Sequence, residues 1–162
     1  MKLISLTRGL FTKVDDADYE WLSQWKWSIE GKTRLYAVRG QWDGQGVRHV
    51  SMSRLILGLE KGDPRQPDHI NRDTLDNQRA NLRIATASEN ARNRRLLRSD
   101  NTSGFRGVHV KPDGRFQSYI YHHRKRIHLG YFVNVRDAIA ARDAKAKELH
   151  GEFAVLNGVI NG

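Results

Sequence analysis

Residues 66–98 constrain this chain more than any other stretch, because a short strand, a long Asx-rich loop, a second strand and a helix start follow in quick succession. The loop reads Asn71-Arg72-Asp73-Thr74-Leu75-Asp76-Asn77-Gln78-Arg79. Asn and Asp side chains accept hydrogen bonds from backbone N–H groups two residues on, so such a run turns the chain rather than extending it. An apolar-rich segment at 82–85 predicts the second strand. Thr86 with Glu89 three residues later forms a capping box, which starts a helix expected to run to about Arg98.

The flanking segments complete an α+β pattern. Strands are predicted at 2–7, 26–29, 35–39 and 47–52, with one or two helical turns in 16–24. A short helix is expected over 53–60, ending near Gly58 or Gly62. Residues 99–104 (Ser-Asp-Asn-Thr-Ser-Gly) form a polar linker, so two domains are expected, 1–98 and 99–162. Beyond the linker, strands at 107–110, 115–121 and 126–132 are joined by turns at Pro112-Asp113-Gly114 and at 122–125. Asn134 and Asp137 form a second capping box, opening a helix over 135–149 that Gly151 terminates. All four tryptophans (Trp21, Trp25, Trp27, Trp42) lie in the first part, which predicts an aromatic core there.

Charge separates the two parts. The formal net charge is +10, and residues 92–131 hold ten Lys/Arg against two acids, together with four of the seven histidines. Polyanions are therefore the first partners to consider. There is no cysteine, which excludes disulfide scaffolds, thiolate zinc sites, iron–sulfur clusters and cysteine nucleophiles. No apolar run reaches the roughly 18–20 residues of a membrane span, and Met1-Lys2-Leu3-Ile4-Ser5-Leu6 is too short for a secretory core. No membrane partner and an intracellular location are expected.

The densest concentration of chemistry is Asp68-His69-Ile70-Asn71, Asp76-Asn77, Asn81-Leu82-Arg83 and Asn90. Adjacent strand residues point to opposite faces, unless the strand ends there and its twist lets both reach one site. Asn90 falls in the first turn of the following helix, from which its side chain can fold back over a strand end. A carboxylate and an amide oxygen suit Mg²⁺, which takes few protein ligands and leaves room for phosphate. An imidazole can take a proton from water at neutral pH. Other chemistries fit less well. The loop lacks the glycine and terminal Glu of an EF-hand, and His122, His123 and His128 sit on a predicted hairpin without companion ligands. No nucleophile elbow or phosphate-cradling glycine loop is present.

The run 68–83, followed by Asn90, resembles the HNH (His-Me finger) homing-type endonucleases of phages and mobile introns, with the spacing of that family. The resemblance implies a ββα-metal nuclease core over 66–98. Asp68 and Asn90 would bind the divalent metal, Mg²⁺ or Mn²⁺. Catalysis would fall to His69 as general base and Asn81 as the middle residue that aims it. The segment 14–21 and Tyr36-Ala37-Val38 resemble the N-terminal part of such proteins. Where the family often has His-Arg ahead of the preceding helix, this chain has Ser53-Arg54.

Residues 101–157 resemble the APETALA/ethylene-response-factor type of DNA-binding domain. Gly104-Phe105-Arg106-Gly107-Val108, Gly114-Arg115-Phe116, His128-Leu129-Gly130-Tyr131-Phe132 and the Ala138–Ala146 region carry the resemblance. It implies a three-stranded antiparallel sheet backed by one helix, with the open face in the major groove. Alternation independently sets Phe116, Ser118 and Ile120 against Gln117, Tyr119 and Tyr121, and Ile127 and Leu129 against Arg126 and His128. The first set is expected to pack on Ala138, Ala141 and Ala144 of the helix. Arg106, His109, Lys111, Arg115, Tyr119, Tyr121, Arg126 and His128 are the implied contacts to double-stranded DNA. His109, Tyr119, Tyr121 and His128 replace residues commoner in plant members, so the plant target sequence does not transfer.

The expected function is a site-directed, metal-dependent DNA endonuclease in the cytoplasm of a phage-infected bacterium, acting as monomer or homodimer. The alternative is a non-catalytic DNA-binding regulator or architectural protein that keeps the HNH fold as a scaffold, and an RNA-binding protein would fit the charge equally.

Overall fold

The computed structural model describes residues 1–93 and 101–157, and these form two compact units, 1–91 and 92–162. The division falls ahead of the polar linker expected at 99–104. Among the described residues, no helix is long and apolar enough to cross a membrane.

The first unit opens with a hairpin of β1 (Lys2–Ser5) and β2 (Phe11–Val14), paired antiparallel from Lys2↔Val14 to Ser5↔Phe11. Strand β2 is not legible in the sequence, since its four residues follow a tight turn at Thr7–Gly9 that shortens β1 from the expected 2–7. Helix α1 (Asp16–Leu22) leads to a three-stranded antiparallel sheet of β3 (Ser28–Glu30), β4 (Tyr36–Trp42) and β5 (Val47–Ser51). Helix α2 (Met52–Ile56) follows, its start capped by the Ser51 hydroxyl, which accepts from the Arg54 N–H. Arg54 then holds the next loop, donating to the Glu60, Asp63 and Arg65 carbonyls. The Ser53-Arg54 pair thus has a structural task here, with Ser53 buried.

Strands β6 (Gln66–His69) and β7 (Leu82–Ala85) pair antiparallel, and α3 (Ala87–Arg92) comes directly after. The Thr86–Glu89 capping box forms, with the Glu89 carboxylate accepting from the Thr86 N–H at 2.8 Å and the Thr86 hydroxyl accepting from the Glu89 N–H at 3.3 Å. The helix's expected extension over 94–98 lies outside the described residues.

The core gathers Ile4, Leu6, Val14, Leu22, Trp27, Met52, Ile56 and Leu82. Burial of these apolar side chains is the main force holding the hairpin, α1, α2 and β7 together. Only one tryptophan belongs to that core: Trp27 is buried and donates its indole N–H to the Leu22 carbonyl at 2.8 Å. Trp21 packs at the margin, Trp25 carries the Arg39 guanidinium over its ring at 4.2 Å, and Trp42 is 67% exposed at the far end of β4. The expected aromatic core is corrected accordingly.

The second unit is a three-stranded antiparallel sheet of β8 (Val108–Val110), β9 (Phe116–His122) and β10 (Lys125–Phe132), with β9 central, and α4 (Val135–His150) packs on it. Asn134 caps α4, accepting from the Arg136 N–H at 2.8 Å. The helix buries Ala138, Ile139, Arg142 and Ala146, whereas Ala144 is exposed. The alanine stripe expected at 138, 141 and 144 is therefore replaced by one turned toward Ile139 and Arg142. Gly107 allows a close approach of two backbone segments: its φ is +71°, and a Cβ there would lie 2.3 Å from the Tyr119 carbonyl oxygen.

Asp18 of α1 anchors a distant loop. Its buried carboxylate accepts from Arg79 Nε at 2.8 Å and Nη2 at 2.7 Å, and from Trp21 Nε1 at 3.1 Å. The Arg79 hydrogen bonds hold its pKa below the ordinary carboxylate value, against the opposing effect of burial. A depressed folded-state pKa contributes stability above the unfolded value, and that stability is lost as pH falls through the folded one. Asp18→Asn is therefore expected to cost about 1–3 kcal/mol at neutral pH. The deficit should shrink below about pH 4, as urea unfolding of both proteins at each pH will show.

Candidate active site

The site is built on the end of β6 and the loop that returns the chain to β7. His69 pairs with Leu82 and Asp68 with Arg83 across the two strands. Between them, Ile70 N–H donates to the Asn81 carbonyl at 2.9 Å and Arg72 N–H to the His69 carbonyl at 2.9 Å. Arg72 adopts a left-handed φ of +70°, which the tight exit from the strand requires.

Asn81 closes this loop from inside. Its Oδ1 accepts from the Asn71 N–H at 2.9 Å, and its Nδ2 donates to the Asp76 carbonyl at 2.7 Å. Asn71 in turn donates to Asp76 Oδ2 at 2.9 Å and accepts from the Asp73 N–H at 2.8 Å. The run of Asx residues thus satisfies its own backbone, which otherwise would have no partners away from water. The Asn81 side chain bonds to the loop and not to the imidazole; its geometry is that of a staple across the loop that follows His69.

His69 and Asp68 are both buried. His69 Nε2 lies 3.1 Å from Asn77 Oδ1, and the Tyr36 ring stands 6.4 Å from the imidazole, tilted by 55°. Burial lowers the His69 pKa from its ordinary value, outweighing the opposite pull of the Asn77 hydrogen bond and of Asp68, Asp73 and Asp76. The neutral imidazole needed to accept a proton is therefore favoured.

Asp68 meets Arg83, whose Nε and Nη2 reach the carboxylate Oδ2 at 2.8 and 2.7 Å. Asn90, in the first turn of α3, donates its amide to the Pro67 carbonyl at 3.3 Å and to Gln66 Oε1 at 3.0 Å. The structure therefore brings Asn90 back onto the strand that carries Asp68. With Nδ2 spent on β6, Asn90 Oδ1 is the atom left to act as a ligand. Among the described residues no three His, Cys, Asp or Glu side chains cluster as a metal site. A single carboxylate and an amide oxygen remain, a sparse hard-oxygen set of the kind Mg²⁺ accepts when water and phosphate fill its other positions.

The loop leans on segments that the sequence did not single out as part of the site. Thr74 donates to the Leu35 carbonyl at 2.6 Å, Arg79 N–H to Asp15 Oδ2 at 2.8 Å, and Asn77 Nδ2 to Thr12 Oγ1 at 2.8 Å. Asn77 belongs to the segment that the sequence singles out, but its pairing with His69 and the support it receives from Thr12 are not legible there, because Thr12 lies far away in sequence.

In the second unit, the β9–β10 register places Tyr121 opposite Arg126, Tyr119 opposite His128 and Gln117 opposite Tyr131. His109 on β8 pairs with Gln117. These side chains share the sheet face away from Ser118, whose hydroxyl donates to the Ala138 carbonyl of α4 at 2.8 Å. The Arg126 guanidinium lies over the Tyr119 ring at 4.1 Å, and Tyr119 and Tyr121 meet edge to face at 5.9 Å. Tyr131 joins the open face because of a bulge between His128 and Gly130. Strict alternation sets it with Ile127 and Leu129, so sequence reasoning missed it. The bulge is where Gly130 takes φ +135°.

The remaining expected contacts lie outside the strands themselves. Arg115 precedes β9 and is held by Asp113 at 2.8–2.9 Å, while also lying 5.2 Å from the Tyr131 ring. Lys111 sits in the β8–β9 turn, where its N–H donates to the Arg115 carbonyl. The Arg106 main chain is clamped by Asn157, which accepts from its N–H at 2.7 Å and donates to its carbonyl at 3.1 Å.

Residues 39–92 match a family model described as HNH endonuclease. That span runs from β4 to α3 and contains Asp68, His69, Asn81 and Asn90, so this part of the chain is similar to HNH endonuclease domains. The match ends at residue 92, where the second unit begins. No curated protein matches the chain.

Removing the Asn81 amide should open the loop. Asn81→Ala leaves the Asn71 N–H and the Asp76 carbonyl without their partner, which is expected to destabilise the protein by about 1–3 kcal/mol. Chemical denaturation of wild type and variant measures this, and an unchanged midpoint would remove the staple role.

Proposed function

We propose that the protein is a homing-type DNA endonuclease that hydrolyses phosphodiesters with a divalent metal and is directed to DNA by its second unit. The observation that supports this is that Asp68 and His69 lie on β6 and Asn90 hydrogen-bonds to Pro67 and Gln66 of the same strand, within the span that matches the HNH endonuclease model. His69 would take a proton from water. The water oxygen attacks phosphorus as the bond to the 3′ oxygen breaks, leaving a 5′-phosphate and a 3′-hydroxyl once the leaving oxygen is protonated by solvent. Asp68 and Asn90 would hold Mg²⁺ or Mn²⁺, which when bound offsets negative charge at the leaving oxygen. Arg83 fixes the direction of the Asp68 carboxylate through two hydrogen bonds to Oδ2. One base per chain corresponds to nicking by a monomer, and a homodimer would cut both strands.

The second unit is the proposed DNA reader: it has three antiparallel strands and one helix, the arrangement that the sequence resemblance to the APETALA/ethylene-response-factor type implies. Its open face combines cations with tyrosines, the Arg126 guanidinium lying over the Tyr119 ring, and a β-ribbon of this kind fits the major groove. The alternative, a regulator that binds DNA without cutting it, has one observation in its favour: Arg83 already neutralises the only carboxylate of the proposed metal site.

Supercoiled plasmid separates the two. Wild type is expected to nick it in Mg²⁺ or Mn²⁺ and not in EDTA. His69→Ala should slow nicking by about 10²–10⁴-fold with DNA affinity kept, and Asp68→Ala or Asn90→Ala should remove metal-dependent cleavage. Normal binding without nicking in either metal would favour the regulator.

For the second unit, log K for duplex DNA should fall linearly with log salt, and Arg126→Ala should lessen the slope by about 0.9 if that side chain meets a phosphate. A slope and affinity unchanged by the joint replacement of Tyr119 and Arg126 would remove this face from the DNA contact.

A further inference from the structure

A buried line of hydrogen bonds runs from the His69 ring to the N-terminal hairpin, and its polarity can be read from end to end. Thr12, fully buried on β2, donates its hydroxyl proton to the Leu75 carbonyl at 2.7 Å. A carbonyl only accepts, so the Thr12 oxygen has only lone pairs to offer Asn77, and the Asn77 amide nitrogen must be the group facing it, at 2.8 Å. That fixes the amide orientation, which otherwise has two nearly equivalent settings. Asn77, 1% exposed, then turns its Oδ1 to His69 Nε2 at 3.1 Å. An amide oxygen also only accepts, so Nε2 carries the ring proton and the lone pair of the neutral imidazole lies on Nδ1.

Two backbone bonds hold Thr12 in place: Lys13 N–H donates to the Leu75 carbonyl and Asn77 N–H to the Lys13 carbonyl, each at 2.9 Å. Strand β2 is thus tied to the loop on both sides of Asp76, at Leu75 and at Asn77 itself. Residue 12 lies outside the 39–92 span that matches the HNH endonuclease model, so this end of the line comes from the chain's own N-terminal hairpin.

We propose that Asn77 and Thr12 are positioning residues that hold His69 as its Nε2–H tautomer, making Nδ1 the atom that receives the proton from water. This rests on the general-base role proposed above for His69, since a base with the proton on the wrong nitrogen presents a donor where an acceptor is needed. Both residues are buried away from the surface that a substrate would meet. Both act through the imidazole, as partners of a ring's second nitrogen do in metal–histidine sites, where their loss typically lowers affinity or activity about 10–100-fold.

The test uses the full chain labelled with ¹⁵N-histidine, studied by NMR at a pH where the ring is neutral, with the His69 signal assigned by its loss in His69→Gln. The expected wild-type signature is a ring proton on Nε2 that exchanges slowly with water. In Thr12→Val that proton should exchange rapidly, kcat for plasmid nicking should fall about 10–100-fold with KM unchanged, and Thr12→Ser should restore both. A purely structural role would lower the unfolding midpoint without altering the ring signal or kcat.

A His69 proton found on Nδ1 in the wild type overturns the proposal, and that measurement needs no variant to fold. A well-folded Thr12→Val with the wild-type kcat overturns it as well. Absence of nicking by the wild type would defeat the nuclease function instead, while the ring spectrum would still decide the tautomer.

Discussion

The Asn81 side chain is the interaction on which the candidate site depends. An amide can donate and accept at once, and here it does so across the loop, to Asp76 and from Asn71, while its backbone carbonyl receives Ile70. The strand end carrying Asp68 and His69 is thereby closed against the strand that returns. Without that closure the two neighbouring side chains would have no fixed relation to Asn90 or to Asn77, because a loop of this length has many conformations of similar energy.

The first unit can be viewed as layers of support for one imidazole. The core of Leu6, Val14, Leu22, Trp27 and Met52 fixes the hairpin and α1 against the sheet. From α1 and the turn before it, Asp18 and Asp15 hold Arg79. From the hairpin, Thr12 holds Asn77, and Asn77 meets His69. Burial then sets the electrostatics. It favours the uncharged ring even with three carboxylates near it, and it makes each polar contact count, since a buried polar group without a partner costs far more than the net worth of its hydrogen bond.

The second unit follows a different principle. Its core is small, centred on Val108, Ala138 and Ile139 with phenylalanines packed around them. The face left open is polar, aromatic and basic. Tyrosine rings lying beside Arg126 and Arg115 restrict guanidinium groups that would otherwise sample many rotamers, lowering the entropy lost when they contact a ligand.

Much of this was legible in the sequence for identifiable reasons. The Thr86–Glu89 and Asn134 caps, the β6–β7 pair, the three strands of the second unit and α4 follow from local rules that act over a few residues. The segment around Asp68-His69 and Asn81 announced its chemistry by residue type and spacing. Tertiary structure decided what spacing does not encode. Only one of four tryptophans is in the core, because the packing of β4 leaves Trp42 outside. Tyr131 reaches the open face because a bulge inserts one residue and reverses alternation beyond it. Arg83 meets Asp68 through strand pairing, and Thr12 reaches Asn77 across a sequence distance that no local pattern spans. The residues able to do chemistry were set by the sequence, while the ring nitrogen that holds the proton was set by the fold, because a tautomer depends on the direction of a hydrogen bond from a neighbour brought in from elsewhere in the chain.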